Sequence, residues 1–133
     1  IVRDELFGTG NRTVADREAV PYAVFIDPPL ANVGLTEEAA RKTGRPVKVA
    51  SLAVSTLPRA RTIGKPEGLL KAVVDAETGK ILGCSLFCAE ASEVINTVSL
   101  AMRLGIPYTY LRDGIYTHPS MSESLNDLFG LIH

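Results

Sequence analysis

The sequence predicts an α+β domain: an antiparallel sheet covered by helices. Two observations carry this. The strand-like apolar runs come first, with a hairpin at their centre, and two helical stripes follow them; and 133 residues suit one compact domain with a single core. The hairpin's two runs are also nearly continuous in apolar residues, which argues that both faces of the sheet are at least partly covered.

The elements follow in order. Residues 1–20 are charged, carry Gly8, Gly10 and Asn11, and keep no period of 2 or 3.6, so they read as a solvated lead-in. Tyr22-Ala23-Val24-Phe25-Ile26 is a short β-prone run closed by Asp27-Pro28-Pro29, which cannot continue a ladder. Thr36 then offers an N-cap hydroxyl, Glu37 and Glu38 fill the first turn, Arg41 and Lys42 the last, and Gly44 stands ready to end the helix, giving a helix over 36–43. Val47 to Val54 is rich in small and β-branched residues and reads as a strand. The stretch 58–66, with two prolines, a glycine and three basic residues, reads as a loop. Leu69 to Val74 and Ile81 to Cys88, joined by Asp75-Ala76-Glu77-Thr78-Gly79-Lys80, form a β-hairpin. Ala91, Val94, Ile95, Val98, Ala101 and Met102 recur at helical spacing, with Glu90 and Glu93 in front, Arg103 behind, Gly105 as C′ and Pro107 beyond. This is the longest predicted helix. A last helix starts at Ser120, where Ser120-Met121-Ser122-Glu123 has the form of a capping box and Leu125, Leu128, Phe129 and Ile132 make one stripe.

Composition narrows the function. With 46% hydrophobic and 22% charged residues and a formal net charge of −1, the chain is an ordinary globular protein without the basic excess that nucleic acid requires. No apolar run approaches the roughly 18 residues of a membrane span. The chain opens on Ile1-Val2-Arg3-Asp4, with neither an initiator Met nor a signal-like segment, and is expected to be a piece of a longer protein. Cys84 and Cys88 lie four residues apart in an apolar run. On a strand that spacing spans about 13 Å, too far for a disulfide, and no second His/Cys pair completes a zinc tetrahedron. They read as small buried hydrophobes whose free thiols suit the cytoplasm, and no metal site is predicted.

One constellation carries chemistry. His118, ahead of Pro119, is held in an extended entry to the last helix with Glu123 one turn inside it. An imidazole, whose ordinary pKa is about 6.5, can take and give a proton near neutrality, and a carboxylate that accepts from one ring nitrogen fixes its tautomer. Against this, Glu123 could simply close the capping box with Ser120, and His118 could be a hydrogen-bonded loop residue near Tyr116. Gly8-Thr9-Gly10 lacks a third glycine at dinucleotide spacing and no P-loop exists, so the chain does not read as a self-sufficient enzyme.

Val20 to Glu37, Gly68 to Val74, Glu77 to Gly83, Ala91-Ser92-Glu93-Val94-Ile95 and the ending His118-Pro119-Ser120-Met121-Ser122-Glu123 resemble, in order, the C-terminal dimerisation domain of the pyridine nucleotide–disulfide oxidoreductases. That group includes glutathione reductase, dihydrolipoamide dehydrogenase and mercuric reductase. The stretch Ser122 to Phe129 resembles the branch linked to reactive-chlorine resistance and copper reduction. The resemblance implies the dimerisation-domain fold of FAD/NAD-linked reductases, with 1–20 as lead-in from an upstream FAD domain and 21–133 as the dimerisation domain. It implies a homodimer in which His118 enters the partner subunit's site as acid–base for a thiol–disulfide couple, with Glu123 orienting it. It also implies a His118–Pro119 bond that is cis and close to the flavin, making His118 and Pro119 the cofactor-facing residues. FAD, NAD(P)H and the redox-active cysteine pair then belong to upstream domains of a cytoplasmic flavoprotein serving redox homeostasis; the fragment alone binds neither cofactor and is inactive. The competing reading is a structural homodimerisation module in which the H-P-S-x-x-E run is only a helix entry.

Overall fold

The computed structural model describes residues 6–8 and 18–133, so most of the predicted lead-in lies outside the described residues. The elements are β1 (Tyr22–Val24), β2 (Leu30–Gly34), α1 (Glu37–Lys42), β3 (Val47–Ala53), a 3₁₀ turn (Val54–Thr56), α2 (Pro58–Thr62), β4 (Leu69–Asp75), β5 (Ile81–Phe87), α3 (Ala91–Arg103), α4 (Thr109–Arg112) and α5 (Ser124–Gly130). The strands form one antiparallel sheet in the order β1-β2-β5-β4-β3.

The hairpin lies at the centre because its turn is built to reverse there. Asp75 Oδ1 accepts the backbone N–H groups of Glu77 and Thr78, each at 2.9 Å, and Gly79 supplies the left-handed conformation at φ 69°. Beyond it, Leu70 pairs with Leu86 and Ala72 with Cys84, and the register slips by one at Val73/Val74. On the outer sides β3 runs along β4 from Val47↔Asp75 to Ala53↔Leu69, while β2 runs along β5 from Leu30↔Phe87 to Gly34↔Gly83.

Alternation then sorts the side chains. Ala31, Val33, Ala50, Leu70, Ala72, Val74, Cys84 and Leu86 are buried on one face, where α3 packs on β2 and β5 and α5 packs on β3 and β4. Val94, Ile95 and Val98 of α3 and Leu125, Leu128 and Phe129 of α5 fill the layer between. On the opposite face, among the described residues, α1 and the chain before it cover one corner, where Lys71 of β4 pairs with Glu37 of α1 at 2.5 Å and the Leu35 backbone lies against Gly83. The expectation that both faces are at least partly covered therefore holds.

Local chemistry explains the helix limits. Thr36 Oγ1 accepts from the Ala39 N–H at 3.2 Å, and the N–H groups of Gly105 and Ile106 bond Met102 O and Ala101 O at 3.0 and 2.9 Å, closing α3 with a left-handed glycine.

Several predicted limits change. Strand β1 stops at Val24, leaving Phe25 and Ile26 exposed, and the Asp27–Pro28 bond is cis. The unpredicted β2 has paired neighbours on both sides. The predicted loop 58–66 holds α2, because Pro58 takes the first helical position, where its missing N–H costs nothing. The last helix begins at Ser124 and not at Ser120.

Candidate functional site

The site is assembled from the α5 end of the fold. Leu125, Leu128, Phe129 and Ile132 are buried, so the apolar stripe beds α5 on the sheet. The preceding chain enters through His118-Pro119-Ser120, and the His118–Pro119 bond is cis, as the resemblance implies. His118 Nδ1 lies 2.9 and 2.8 Å from Oε1 and Oε2 of Glu123. The imidazole is 65% exposed, whereas the carboxylate is 28% exposed.

This arrangement decides the tautomer. An ionised carboxylate only accepts, so the neutral ring carries its proton on Nδ1 and leaves Nε2 with a free lone pair. Exposed ion pairs contribute about 1 kcal/mol or less to stability, so the pair matters more for where it points the ring than for holding the fold together.

The capping box forms only by half. The Glu123 N–H donates to Ser120 Oγ at 3.2 Å, but the carboxylate, which would return to the Ser120 backbone in a full box, is engaged by His118. The chain from Met121 to Glu123 is closed by i→i−3 bonds, Ser124 N–H to Met121 O and Leu125 N–H to Ser122 O, each at 3.1 Å, and regular helix starts at Ser124. Tyr116 does not meet His118: its hydroxyl donates to Leu111 O at 3.2 Å, and burial pushes its pKa up.

Pro119 is exposed beside His118. Cys84 and Cys88 are free and buried, on β5 and just past it. Burial pushes both thiols up to about 12, helped by Cys88 at Cys84 and by Glu90 at Cys88. They are packing residues. Among the described residues no three His, Cys, Asp or Glu side chains come together as a metal site, and no helix is long and apolar enough to cross a membrane.

One residue of this region escaped the sequence reading. Asn126 Nδ2 donates to the carbonyls of Leu111, Arg112 and Gly114 at 3.0, 2.8 and 2.9 Å. An Asn between the apolar positions of a helix gives no sign that its partners lie 12 to 15 residues back.

The sequence pattern of the family described as "Pyridine nucleotide-disulphide oxidoreductase, dimerisation domain" matches residues 20–129. The chain belongs to this family. Among relatives of this dimerisation domain, the Escherichia coli protein described as "Probable pyridine nucleotide-disulfide oxidoreductase RclA" is 54% identical over 99% of this chain and 30% of its own length. The dihydrolipoyl dehydrogenase of Mycobacterium tuberculosis is 34% identical over 99% of the chain and 29% of its own. The chain thus spans about a third of these relatives.

The solved structure of the HOCl-induced flavoprotein disulfide reductase RclA superposes with a TM-score of 0.94, covering 100% of this chain and 31% of that one. The finer resemblance to the reactive-chlorine branch is thereby borne out. LpdA of M. tuberculosis, 23% identical at a TM-score of 0.82 over 97% of this chain and 28% of its own, shares the fold. The domain is the dimerisation domain of a pyridine nucleotide–disulfide oxidoreductase, with the five-stranded antiparallel sheet and helices expected of it.

Proposed function

We propose that this domain pairs with a second copy of itself and lends His118, oriented by Glu123, to a composite site in which a disulfide is reduced to two thiols. The observation that carries the reading is the bond from His118 Nδ1 to the Glu123 carboxylate at 2.8 Å, made by a ring that stays largely exposed. An imidazole oriented through one nitrogen and open at the other is what proton delivery to a departing thiolate needs. Reduction of a disulfide consumes two electrons and two protons. His118 supplies one proton from Nε2, while Glu123 keeps the ring aligned and balances its charge when it is protonated.

In this reading the working polypeptide is longer than the chain, in keeping with its coverage of about 30% of the RclA relative. FAD and NAD(P)H are held by its other domains, and the flavin, when bound, carries the electron pair from nicotinamide to the disulfide. This domain contributes little to that pocket. Among the described residues no glycine-rich turn opens a helix to hold a pyrophosphate, and His118 and Pro119, both exposed, would be the residues of this domain to border the flavin.

The test is His118→Gln in the flavoenzyme, with rapid mixing to separate the two half-reactions. Flavin reduction by nicotinamide stays at its normal rate, and reoxidation by a disulfide slows by about 10² to 10⁴, the usual loss for a positioned general acid. Normal reoxidation by a disulfide would refute the role and leave the domain a structural dimerisation module. Slow reoxidation by disulfides with fast reoxidation by a metal ion or quinone keeps the role and moves the physiological acceptor away from disulfides.

A further inference from the structure

The segment 111–118 connects α4 to the His118 entry, and its two ends are held by one helix. At the far end, Glu123, the N-cap of α5, takes the His118 ring. At the near end, Asn126 binds the carbonyls of Leu111, Arg112 and Gly114 through a single amide nitrogen. Residues three apart share a helix face, so both grips come from neighbouring positions at the start of α5, on the flank of the stripe buried on the sheet.

The near end is stiffened further. Tyr116 adds a second bond to Leu111 O, Arg112 forms a two-pronged pair with Asp113 at 2.7 and 2.8 Å, and the Arg112 guanidinium lies 5.7 Å from the centre of the Tyr108 ring. Gly114 packs so closely that a Cβ there would stand 3.0 Å from Tyr110 O and 3.3 Å from the Tyr116 ring. Between the two grips Ile115 is wholly exposed and Thr117 is exposed, and Tyr116, half-buried against the core, is the segment's one anchor of its own.

We propose that Asn126 is a positioning residue for His118: by fixing the Leu111–Gly114 turn to the helix that carries Glu123, it sets where the imidazole sits. The inference rests on the acid–base reading of His118, which it deepens. A loop tip held only by Tyr116 and His118 would leave the ring freer to move off Glu123. With both ends on α5, the imidazole inherits the rigidity of a helix packed into the core. The amide suits this task because it donates to carbonyls in every protonation state, so the turn is held at any working pH.

The experiment reads ring orientation and not rate. In this chain, labelled with ¹⁵N at the histidine rings and held at a pH where the imidazole is neutral, the wild-type His118 shows Nδ1 protonated and Nε2 bare, with well-separated resonances. In Asn126→Ala, which removes the amide, and in Asn126→Asp, which keeps the side chain's shape but sets a charged acceptor against the three carbonyls, the two resonances converge toward those of a free imidazole. Val98→Ala, which removes buried methyls on α3, lowers the melting temperature and leaves the ring resonances as in the wild type.

Wild-type resonances in both Asn126 variants would overturn the proposal, as would an equal shift in Val98→Ala. The outcome is separate from that of His118→Gln in the flavoenzyme. If that variant reduces disulfides at full rate, the catalytic reading falls while the tautomer result still reports whether Asn126 places the ring.

Discussion

Ser120 and Glu123 share one hydrogen bond where a full capping box has two: the Glu123 N–H donates to Ser120 Oγ at 3.2 Å and nothing returns. The two residues thereby divide their work. Ser120→Ala removes the cap and is expected to cost about 1 kcal/mol of stability, with the acceptor half-reaction of the flavoenzyme little changed. Glu123→Gln keeps an oxygen for Nδ1 but loses the charge, and is expected to slow that half-reaction about tenfold, less than the loss of the imidazole, with little change in melting temperature. Thermal melts and rapid mixing on the same pair of variants check this. A Glu123→Gln protein that melts early and reacts normally would return Glu123 to the capping role.

Gly83 stands against the backbone of Leu35, and a Cβ built on it would lie 1.9 Å from Leu35 O and 2.7 Å from Leu35 N. Backbone cannot rotate away as a side chain can. Gly83→Ala should therefore destabilise by about 3 kcal/mol, the upper end of ordinary overpacking. Gly44→Ala, where nothing lies within 4 Å of the new methyl, meets only the strain of φ 74° and should cost less. Urea titration of the two variants checks the ranking.

Among the described residues three carboxylates tie stability to acid pH: Asp113, held below its ordinary 3.8 by the hydrogen bonds of Arg112, and the two that follow. Glu37 is held below its ordinary 4.5 by hydrogen bonds from Lys71 first and Arg41 second, and Asp75 below its ordinary 3.8 by the Thr78 N–H first, helped by that of Glu77. Since the folded pKa is the lower one in each case, their contributions are complete above those ordinary values and disappear as pH falls through the folded ones. The melting temperature should thus be flat near neutrality and fall in acid. Asp75→Asn should melt lower at pH 7 and show a shallower acid decline, and a scan from pH 7 to about pH 2 distinguishes this.

The two thiols should be silent. With both pushed up to about 12, the thiolate fraction at pH 8 is on the order of 10⁻⁴ and the sulfur atoms are buried. Labelling by an aromatic disulfide reagent should proceed no faster than opening of the sheet and become immediate in denaturant. Prompt labelling of the folded protein would contradict the packing described for β5.

Much of this was legible from local chemistry. Thr36 caps α1, the Asp75-to-Lys80 turn closes the hairpin, and the spacing of Val94, Ile95 and Val98 gives α3, because in each case the deciding contacts lie within a few residues. Strand β2 was not legible. Pro28 and Pro29 precede it, Gly34 ends it, and Ala31 and Asn32 have no strong β preference; it is a strand because β1 and β5 offer it partners. The five-residue spacing of His118 and Glu123 gave the pair, while α5 starts at Ser124 because the preceding residues close tight turns through i→i−3 bonds that a capping-box pattern does not reveal. Asn126 was invisible for the opposite reason, since its partners are backbone atoms distant in sequence.

The strand order leaves two unequal borders. On one side β1 is three residues long and runs into Asp27-Pro28-Pro29, whose prolines offer no N–H to a newcomer. On the other, β3 runs seven residues from Val47 to Ala53 with Lys48 as its one charged side chain and, among the described residues, a strand partner on one side only. Short, proline-stopped borders resist strand addition and long ones invite it. Self-association of misfolded copies by edge pairing is therefore directed to β3, and a second lysine at the exposed Ser51 would be the economical way to raise the protein's solubility under stress.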